Sequence, residues 1–518
     1  MYMNLRYLLA IFVLLAIAAG CKKDDPDPDP ADNKDPNGQV VPIPEASAVK
    51  KFIYNGLSTY YLWEADVPKL NNAVYNKNKD SLNAFLNRYD DPEALFYSLL
   101  YKYRTIDKWS YIVDDSKEID DWIAGISETM GYNFGLVYIS ANSSNILGYV
   151  RYVIKGSPAD QAGIKRGDLF MTINGTQLTD KNYQELLFTQ KTYTIGFATE
   201  SGAGNFVLNG KTATMTAVEL QENPIHMDTI LNVNGLKVGY LVYNSFNGSY
   251  DKTINTSYNL ELNKVFGKFK NQGIDKLIID LRYNPGGGVL TAAYLASMIY
   301  STDPAKIFAK YKFNQFLQNY YLDRYGESYF NEYFESKIAK TDKTPEQSIN
   351  SLGLNEVYII TTGRSASASE LLINSLKVYL NVIQVGEPTS GKYVGSFTIK
   401  DYDNAGNLNT THKWAMQPIT LKINNANNAS DYVNGLQPTL QSQYVFYRLQ
   451  PFGDPEEQLL KVCLDHIKGL KSAAVSPGVR LREYHIPEGI SPDMNLMYVD
   501  PERFELPRLE EISRFGQN

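Results

Sequence analysis

Three runs of small and charged residues in the second half of the chain could carry chemistry. The first contains Gly286, Gly287 and Gly288, and it follows a nearly unbroken apolar run over 276–282 that predicts a buried strand. Successive glycines let a backbone approach a ligand closely and present its N–H groups, which suits a phosphate site or an oxyanion hole. A phosphate loop would continue Gly-Lys-Ser/Thr, whereas a valine and a leucine follow here. The oxyanion hole is therefore the favoured interpretation.

The second run contains Ser365, Ser367 and Ser369 and ends at Glu370. It follows another apolar run, at 355–361, and precedes an apolar helical pattern. A strand, a tight turn of small residues and a helix would place a serine hydroxyl at the positive end of the helix dipole. Backbone N–H groups at that point can bind a developing oxyanion. A helix capping box that uses Ser367 and Glu370 explains the same spacing without any catalysis.

The third run is Gly-Glu-Pro-Thr-Ser-Gly-Lys at 386–392, after a predicted strand at 382–385. With Asp-Leu-Arg-Tyr-Asn-Pro-Gly-Gly at 280–287 and Ser-Ala-Ser-Ala-Ser-Glu at 365–370, it closely resembles the motifs of the C-terminal processing (tail-specific) peptidases. These are serine proteases with a Ser-Lys dyad, a PDZ domain and a ClpP/crotonase-like core. The resemblance covers residues from about 130 to 445.

The resemblance implies a role for individual residues. Ser367 would be the nucleophile, and Lys392, 25 residues later, would be the general base. Backbone N–H groups near Gly286 and Gly287 and at Ala368 would form the oxyanion hole. No metal, nucleotide or other cofactor is implied.

The implied base must be neutral near pH 7, although a free lysine has a pKa near 10.4. Lowering that pKa to between 7 and 8 takes roughly three units, or about 4 kcal/mol. Burial disfavours the ammonium form, so we expect Lys392 to lie in an apolar pocket. The family commonly places a glutamine four residues after the lysine to orient it. Ser396 stands at that position and is its expected replacement.

A second segment, before these motifs, resembles a PDZ domain. The run 157–163 predicts a short helix that a proline opens and a glycine ends, and Asn174-Gly175 predicts a hairpin turn. PDZ domains bind an extended peptide as an added strand and hold its C-terminal carboxylate. A PDZ-like spacer without a ligand is the alternative. The resemblance places the peptide-binding loop at Phe134, Gly135, Leu136 and Val137, where Val137 replaces a usual glycine.

The N-terminal residues predict export and lipidation. Arg6 precedes an apolar run at 7–19, which is too short for a membrane span of about 20 residues and is typical of a signal peptide. The ending Ala-Ala-Gly-Cys resembles a bacterial lipobox, which predicts a lipoprotein anchored to the membrane through Cys21. An Asp/Pro-rich tether follows. The expected location is the cell envelope, at the periplasmic face or the outer surface of the outer membrane.

Composition excludes other classes of protein. The net charge of −7 argues against nucleic acid as a partner, and two cysteines cannot form a disulfide scaffold or a multi-cysteine metal site. The histidines are far apart in sequence, so we expect structural roles for them and no metal centre. They are His226, His412, His466 and His485.

The sequence thus predicts a multidomain α+β fold with a small N-terminal helical domain, a PDZ-like β-rich domain and a ClpP/crotonase-like α/β catalytic core. Its function would be that of a serine endopeptidase, which cleaves unfolded or C-terminally recognised polypeptides through an acyl-enzyme; the oligomeric state is left open. The alternative is a catalytically weakened, lipid-anchored peptide-binding protein that uses its PDZ domain.

An aromatic-rich insertion at 302–352 is expected to be helical, either packing its rings on the core or forming a lid. The predicted parts are a signal peptide (1–20), a tether (21–45), the helical domain (46–125), the PDZ-like domain (126–222), the catalytic core (223–470) and a C-terminal extension (471–518).

Overall fold

The structure is a computed structural model that describes most of the chain after the tether. Cys21, the predicted signal peptide and the tether residues 22–38 and 40 lie outside the described residues. No helix in the described part is long and apolar enough to cross a membrane. The described residues are 39, 41–70, 75, 78–140, 142–202, 204–248, 250–251, 256–340, 344–403, 406–442, 445–470, 481–484, 497–499, 503–504 and 507.

The N-terminal domain is helical, as predicted. Side chains cap its helices: Ser47 accepts the N–H of Lys50 at the start of the first helix, and Asp91 accepts the N–H of Glu93 ahead of the third. Its elements are α1 (Ala48–Tyr60), α2 (Lys79–Leu86), α3 (Pro92–Ser98), β1 (Tyr111–Val113) and α4 (Lys117–Ile123).

The PDZ-like domain is an antiparallel sheet in the order β3-β4-β5-β7-β8, with two short helices. Positive φ angles at Asn174 and Gly175 confirm the predicted hairpin turn. Its elements are β2 (Ile126–Thr129), β3 (Tyr132–Tyr138), β4 (Ile146–Val153), α5 (Pro158–Gln161), β5 (Leu169–Ile173), β6 (Thr176–Gln177), α6 (Tyr183–Phe188), β7 (Thr192–Gly202), β8 (Asn205–Thr216) and β9 (Val218–Gln221).

The catalytic core is built on a six-stranded sheet in the order β10-β11-β14-β20-β21-β26. Only the pairing of β10 with β11 is antiparallel. The elements are β10 (Ile225–Val233), β11 (Leu236–Tyr243), β12 (Tyr250–Asp251), β13 (Thr256–Ser257), α7 (Tyr258–Gln272), β14 (Lys276–Asp280), β15 (Gly287–Gly288), α8 (Val289–Ile299), β16 (Ile307–Phe313), α9 (Gln315–Tyr325), β17 (Asn331–Tyr333), β18 (Lys337–Ile338), β19 (Gln347–Ser348), β20 (Glu356–Thr361), α10 (Ala368–Leu376), β21 (Asn381–Gly386), β22 (Val394–Ser396), β23 (Ile399–Lys400), β24 (Ala415–Gln417), β25 (Ile419–Asn425), β26 (Leu440–Gln441) and α11 (Gln458–Ile467).

Both faces of this sheet are buried, which explains the apolar runs in the sequence. Alternate strand residues such as Ile279 pack against α7, α8 and α10 on one face. Their neighbours, such as Ile278, pack on the other face against Leu460 of α11 and Tyr149 of the PDZ-like domain. The PDZ-like domain is therefore attached to the core through a shared apolar cluster.

A second core sheet has the order β15-β28-β22-β25-β16-β17, and the C-terminal segment completes it through β28 (Met497–Tyr498). Another tail strand, β27 (Glu483–Tyr484), joins the PDZ-like sheet. The expectation that the aromatic insertion is helical is confirmed for α9, but it was wrong for β16 and β17, which belong to this sheet. Its rings pack around the buried Phe504 of the tail: those of Tyr311, Phe313, Tyr321 and Tyr329 lie 5.1, 5.1, 5.5 and 5.1 Å from it.

The predicted fold class, multidomain α+β, is confirmed, and the sheet explains why the three motifs meet. Adjacent parallel strands β14, β20 and β21 each lead directly into one motif. The carboxyl ends of parallel strands lie at one edge of a sheet, where α/β folds bind their ligands. The glycine loop, the serine turn and the lysine loop therefore emerge side by side.

Candidate active site

Ser367 lies in the tight turn between β20 and α10. Its backbone has φ 62° and ψ −115°, a strained conformation for a serine. Such strain costs of order 1–3 kcal/mol and persists only where the surrounding structure holds the residue in place. Two hydrogen bonds to the glycine-loop segment hold the turn: Ser365 Oγ donates to Leu281 O at 2.7 Å, and Ala366 N–H donates to Asn284 O at 3.1 Å. This geometry places Ser367 directly ahead of the first turn of α10.

The three serines of the turn differ in what their hydroxyls bind. Ser365 and Ser369 both donate to backbone carbonyls of the glycine-loop segment, at Leu281 and Asn284. Ser367 Oγ is buried at the N-cap position of α10 and, unlike the other two hydroxyls, donates no hydrogen bond within the described part of the chain. Ser367 is therefore the one hydroxyl of the three that is not committed to holding the turn together.

The carboxylate of Glu370 joins the serine turn to the lysine loop. Its Oε2 accepts the backbone N–H of Ser367 and the backbone N–H of Lys392, each at 2.8 Å. The two amide nitrogens are therefore no more than twice that distance apart. Oε1 accepts the N–H of Gly391 at 2.6 Å and the hydroxyl of Thr389. Glu370 thus acts as the clamp between the two segments, and burial raises its pKa to about 7 despite these donors.

Lys392 is fully buried. Burial lowers the pKa of its amine to about 7, although the nearby carboxylates of Asp107 and Glu370 act in the opposite direction. Its Nζ lies 5.8 Å from the centre of the Trp109 ring, within range of a cation–π contact. The buried environment expected for this amine from the sequence is therefore present.

The N-terminal domain forms one wall of the lysine pocket, a contribution that the sequence did not reveal. Asp107 is buried, its Oδ1 accepts the N–H groups of Trp109 and Ser110, and its Oδ2 accepts the hydroxyl of Tyr61 at 2.7 Å. Ser110 Oγ in turn accepts the N–H of Ile419 in the core. The aromatic cluster around Trp109 was visible in the sequence, but nothing there connected it with a lysine some 280 residues later.

The glycine loop has the close backbone approach that its sequence suggested. Gly287 has φ 137°, and a Cβ at this position would lie 2.7 Å from the carbonyl carbon of Phe246. The N–H of Gly286 donates to Asn284 Oδ1 at 2.9 Å in this conformation, so its part in an oxyanion hole stays a prediction. Gly287 and Gly288 pair in parallel with β28 of the C-terminal segment.

Ala368 is the first residue of α10, where backbone N–H groups have no acceptor within the helix. Its predicted place beside the nucleophile is consistent with that position.

Ser396 is buried in β22, where its hydroxyl donates to Met497 O at 3.2 Å and accepts from Gln417 Nε2 at 3.0 Å. Its hydroxyl hydrogen is thus directed at the C-terminal segment, so orientation of Lys392 by Ser396 stays a prediction.

The predicted peptide-binding loop, Phe134 to Val137, is not a loop. All four residues lie in β3, and the turn ahead of the strand is made at Gly131, which has φ 84°. Gly135 serves packing, since a Cβ there would lie 2.2 Å from the Tyr149 ring. The segment nevertheless lies in the outermost strand that the PDZ-like domain itself supplies, and Leu136 and Val137 pair there with β27 of the C-terminal segment.

The three histidines in the described part of the chain have structural contacts. His226 packs between the rings of Tyr152 and Phe452, and burial lowers its pKa to about 4. The other two bind a side chain each: His412 Nε2 lies 3.0 Å from Asp401, and His466 Nδ1 lies 2.9 Å from the hydroxyl of Tyr358. His485 lies outside the described residues. Within the described ranges, no group of three metal-ligating side chains occurs.

A buried ion network explains the beginning of the first motif. Arg282 is bidentate to Asp280 and also to Glu457, which caps α11. Burial raises the pKa of Glu457, but the charge of Arg282 has the larger, opposite effect, so that the pKa falls to about 2. Arg166 of the PDZ-like domain reaches the same carboxylate at 3.4 Å. These residues therefore hold the base of the glycine loop and do not face the serine.

Three family models match the chain. Residues 237–434 match peptidase family S41, residues 48–111 match the peptidase S41 N-terminal domain, and residues 149–189 match a PDZ domain. All three candidate motifs lie within the first of these ranges. The matched ranges follow one another in the order N-terminal domain, PDZ domain and peptidase domain.

Curated relatives and a solved structure agree with these models. The chain is 25% identical over 363 residues to the "Probable CtpA-like serine protease" of Staphylococcus aureus. The aligned region covers 67% of this chain and 64% of the relative. It is 26% identical over 288 residues to the "Carboxyl-terminal-processing protease" of Picosynechococcus, covering 55% and 60%. The chain thus spans a little under two thirds of the length of these relatives.

A crystal structure of a "Putative S41 protease" from Bacteroides fragilis is similar with a TM-score of 0.61 and 25% identity, covering 81% of this chain and 98% of that one. The similarity therefore extends over the N-terminal, PDZ-like and catalytic domains together. With the family models, it shows that residues 237–434 form a domain similar to peptidase family S41, which follows an S41-type N-terminal domain and a PDZ domain.

Proposed function

We propose that this chain is a serine endopeptidase in which Ser367 is the nucleophile and Lys392 is the general base. The observation that carries the proposal is the Glu370 clamp, which binds the backbone of both residues through one carboxylate oxygen. An uncommitted hydroxyl and an amine with a pKa of about 7 are thereby held on neighbouring loops. About half of the amines with this pKa are neutral at pH 7 and can accept a proton.

The proposed reaction is acyl transfer. The neutral amine of Lys392 takes the proton of Ser367 Oγ as the oxygen attacks a peptide carbonyl. Backbone N–H groups at the start of α10, including that of Ala368, stabilise the negative charge on the carbonyl oxygen. The lysine ammonium then gives its proton to the leaving amine. Water attacks the resulting ester and releases Ser367.

Cleavage of an unstructured protein tests the assignment. We expect full-length protein to fragment casein, and the variants Ser367→Ala and Lys392→Ala to lose at least 100-fold in rate, in line with the effect of removing a catalytic base. Ser375→Ala is the matched control, because Ser375 is equally buried on α10 and its hydroxyl also lacks a partner among the described residues. Unchanged cleavage by either variant at the candidate site, with folding verified by circular dichroism, would reject the proposal.

The substrate class we propose is a polypeptide that is unfolded or presents a free C-terminus. The support is the PDZ domain, since PDZ domains add a peptide strand to a sheet edge. Parallel assays with peptides that have free or amidated C-termini separate the two modes of recognition. A preference of tenfold or more for the free carboxylate supports C-terminal recognition, and equal rates oppose it.

We further propose that Cys21 is lipidated and anchors the protein in the cell envelope, at the periplasmic face or the outer surface of the outer membrane. The support is the lipobox-like ending of the N-terminal apolar run, followed by the Asp/Pro-rich tether. Metabolic labelling with an alkyne fatty acid should label the native chain and fail to label Cys21→Ser. Protease accessibility on intact cells then distinguishes the two faces, and equal labelling of both chains contradicts lipidation.

A peptide-binding protein with weakened catalysis is the second candidate, and one observation favours it. The side chains of Ser367 and Lys392 are both fully buried in this conformation. The casein assay separates the two functions. Stable complexes without fragments would favour the binding protein, whereas fragments that vanish in Ser367→Ala favour the peptidase.

A further inference from the structure

The outer edge of the PDZ-like sheet is occupied by the chain's own C-terminal extension. Residues 482–484, here termed the internal strand, run antiparallel to β3, with Glu483 opposite Val137 and Tyr484 opposite Leu136. The backbone N–H of Tyr138 donates to Arg482 O at 2.9 Å. This is the strand-addition geometry by which PDZ domains bind peptides, carried out by a segment of the same chain.

The side chains of the internal strand alternate as those of a bound peptide would. The Tyr484 ring enters the groove between β3 and α6, with its centre 5.4 Å from the Tyr138 ring and 5.0 Å from the Tyr183 ring. Its hydroxyl donates to Asp180 O at 3.4 Å. Tyr484 therefore fills a side-chain pocket of the groove, the feature that gives such peptides their specificity.

Glu483 points to the opposite side and reaches the catalytic core. It accepts the hydroxyl of Tyr149 at 3.1 Å and lies 3.5 Å from the guanidinium of Arg151. It also lies 3.4 Å from Nη2 of Arg364, which is three residues before Ser367 in the serine turn. Glu387, at the start of the lysine loop, is a further charged group near Glu483. The internal strand thus links the PDZ groove to the turn that holds the candidate nucleophile.

The groove continues beyond the internal strand. A cavity of about 310 Å³ lies at the beginning of β3 and the end of α6, lined among others by Met130, Phe134, Leu187 and Lys191. The internal strand pairs with the other end of β3, at 136–138. An incoming peptide can therefore place its terminal residues in the cavity before it competes with Tyr484 for the rest of the edge.

We propose that the internal strand is an intramolecular ligand of the PDZ domain that a substrate polypeptide must displace, and that displacement releases Glu483 from Arg364 in the serine turn. The short pairing suits displacement, since it involves few backbone contacts and leaves the side chains of Glu483 and Arg364 19% and 37% exposed. Ser367 and Lys392 are completely buried, so a substrate cannot reach either side chain in the present conformation, which is here termed closed. The first half of this inference, displacement of the internal strand, does not depend on the proposed peptidase function. The second half, a higher cleavage rate once Glu483 leaves Arg364, rests on that function.

Peptide binding tests the first half without any proteolysis. The probe is a fluorescein-labelled peptide with the sequence of residues 481–486, added to full-length protein in the Ser367→Ala background, with binding followed by fluorescence anisotropy. The additional change Tyr484→Ala should tighten binding at least tenfold, because the internal competitor is lost. Tyr402→Ala, at an exposed tyrosine of the core, should leave binding unchanged. Equal affinities for Tyr484→Ala and its parent would overturn the proposal.

Cleavage rates test the second half. Glu483→Gln keeps the tyrosine in the groove and removes the negative charge from the contact with Arg364, so it preserves folding more safely than Tyr484→Ala. We expect it to raise casein cleavage by otherwise native protein threefold or more. An unchanged or lower rate refutes the link to the serine turn. Absence of cleavage in the native chain itself would refute the proposed peptidase function instead, and the anisotropy result would stand independently.

Discussion

Substituting Lys392 by methionine should abolish activity and at the same time stabilise the protein. Burial lowers the pKa of the Lys392 amine to about 7, whereas the unfolded chain keeps the ordinary value near 10.4. Between about pH 7 and pH 10 the unfolded state therefore binds more protons at this residue than the folded state does. The free energy of unfolding of the native chain consequently rises with pH between about 7 and 10.

The magnitude follows from the difference between the two pKa values. A difference of about three pH units corresponds to about 4 kcal/mol, which is the full cost of burying the ammonium at low pH. Methionine has a similar length and no charge, so Lys392→Met should recover about 4 kcal/mol at pH 7. The gain should fall by about 1.4 kcal/mol for each unit of rising pH and approach zero near pH 10.

Urea denaturation of both chains at pH 7, 8 and 9 provides the measurement. Lys264→Met is the matched control, since Lys264 is exposed on α7 and should show no comparable pH-dependent gain. A Lys392→Met variant that is destabilised at pH 7, or whose stability difference does not change with pH, would refute the argument that this amine is buried and neutral.

Three further predictions concern the surroundings of the site. Asp107→Asn retains a hydrogen-bond acceptor and removes the negative charge that favours the ammonium form of Lys392. The pKa of Lys392 should therefore fall, and the acid limb of the pH profile of kcat should move to lower pH by about one unit. An unmoved limb would show that Asp107 does not act on Lys392. Glu457→Gln should lower the free energy of unfolding by about 2–3 kcal/mol, because it removes one of the two carboxylates that pair with the guanidinium of Arg282 in the core and leaves only Asp280. Urea denaturation with a loss below about 1 kcal/mol would contradict this. Gly287→Ala should reduce casein cleavage at least tenfold, since the added methyl would meet the backbone of Phe246; native rates would mean that the loop adjusts without loss.

The catalytic sheet and the order of its motifs could be predicted from local patterns. Runs such as 276–282 are apolar throughout because both faces of the sheet are covered, and each run ends in a motif because strand and loop are contiguous. The capping-box interpretation and the catalytic interpretation of the serine turn are both compatible with the structure. The carboxylate of Glu370 accepts the N–H of Ser367 and also binds the lysine loop.

Contacts between distant segments could not be predicted in the same way. Asp107 and Trp109 reach Lys392 only because the N-terminal domain docks on the core, and no local pattern encodes that docking. The PDZ resemblance predicts a loop at Gly135, whereas the residue lies in a strand and makes room for Tyr149 on the neighbouring strand. The internal strand has no motif, since backbone pairing of this kind places little demand on sequence.

Covalent labelling of the nucleophile tests the central claim most directly. Native full-length protein is treated with a fluorophosphonate between pH 5.5 and 9, and the modified residue is identified by peptide mass spectrometry. The account predicts a single adduct at Ser367, a labelling rate that rises with a midpoint near pH 7 as Lys392 loses its proton, and loss of labelling in Lys392→Met. An adduct on another serine, or equal labelling of Ser367 when Lys392 is absent, would contradict it.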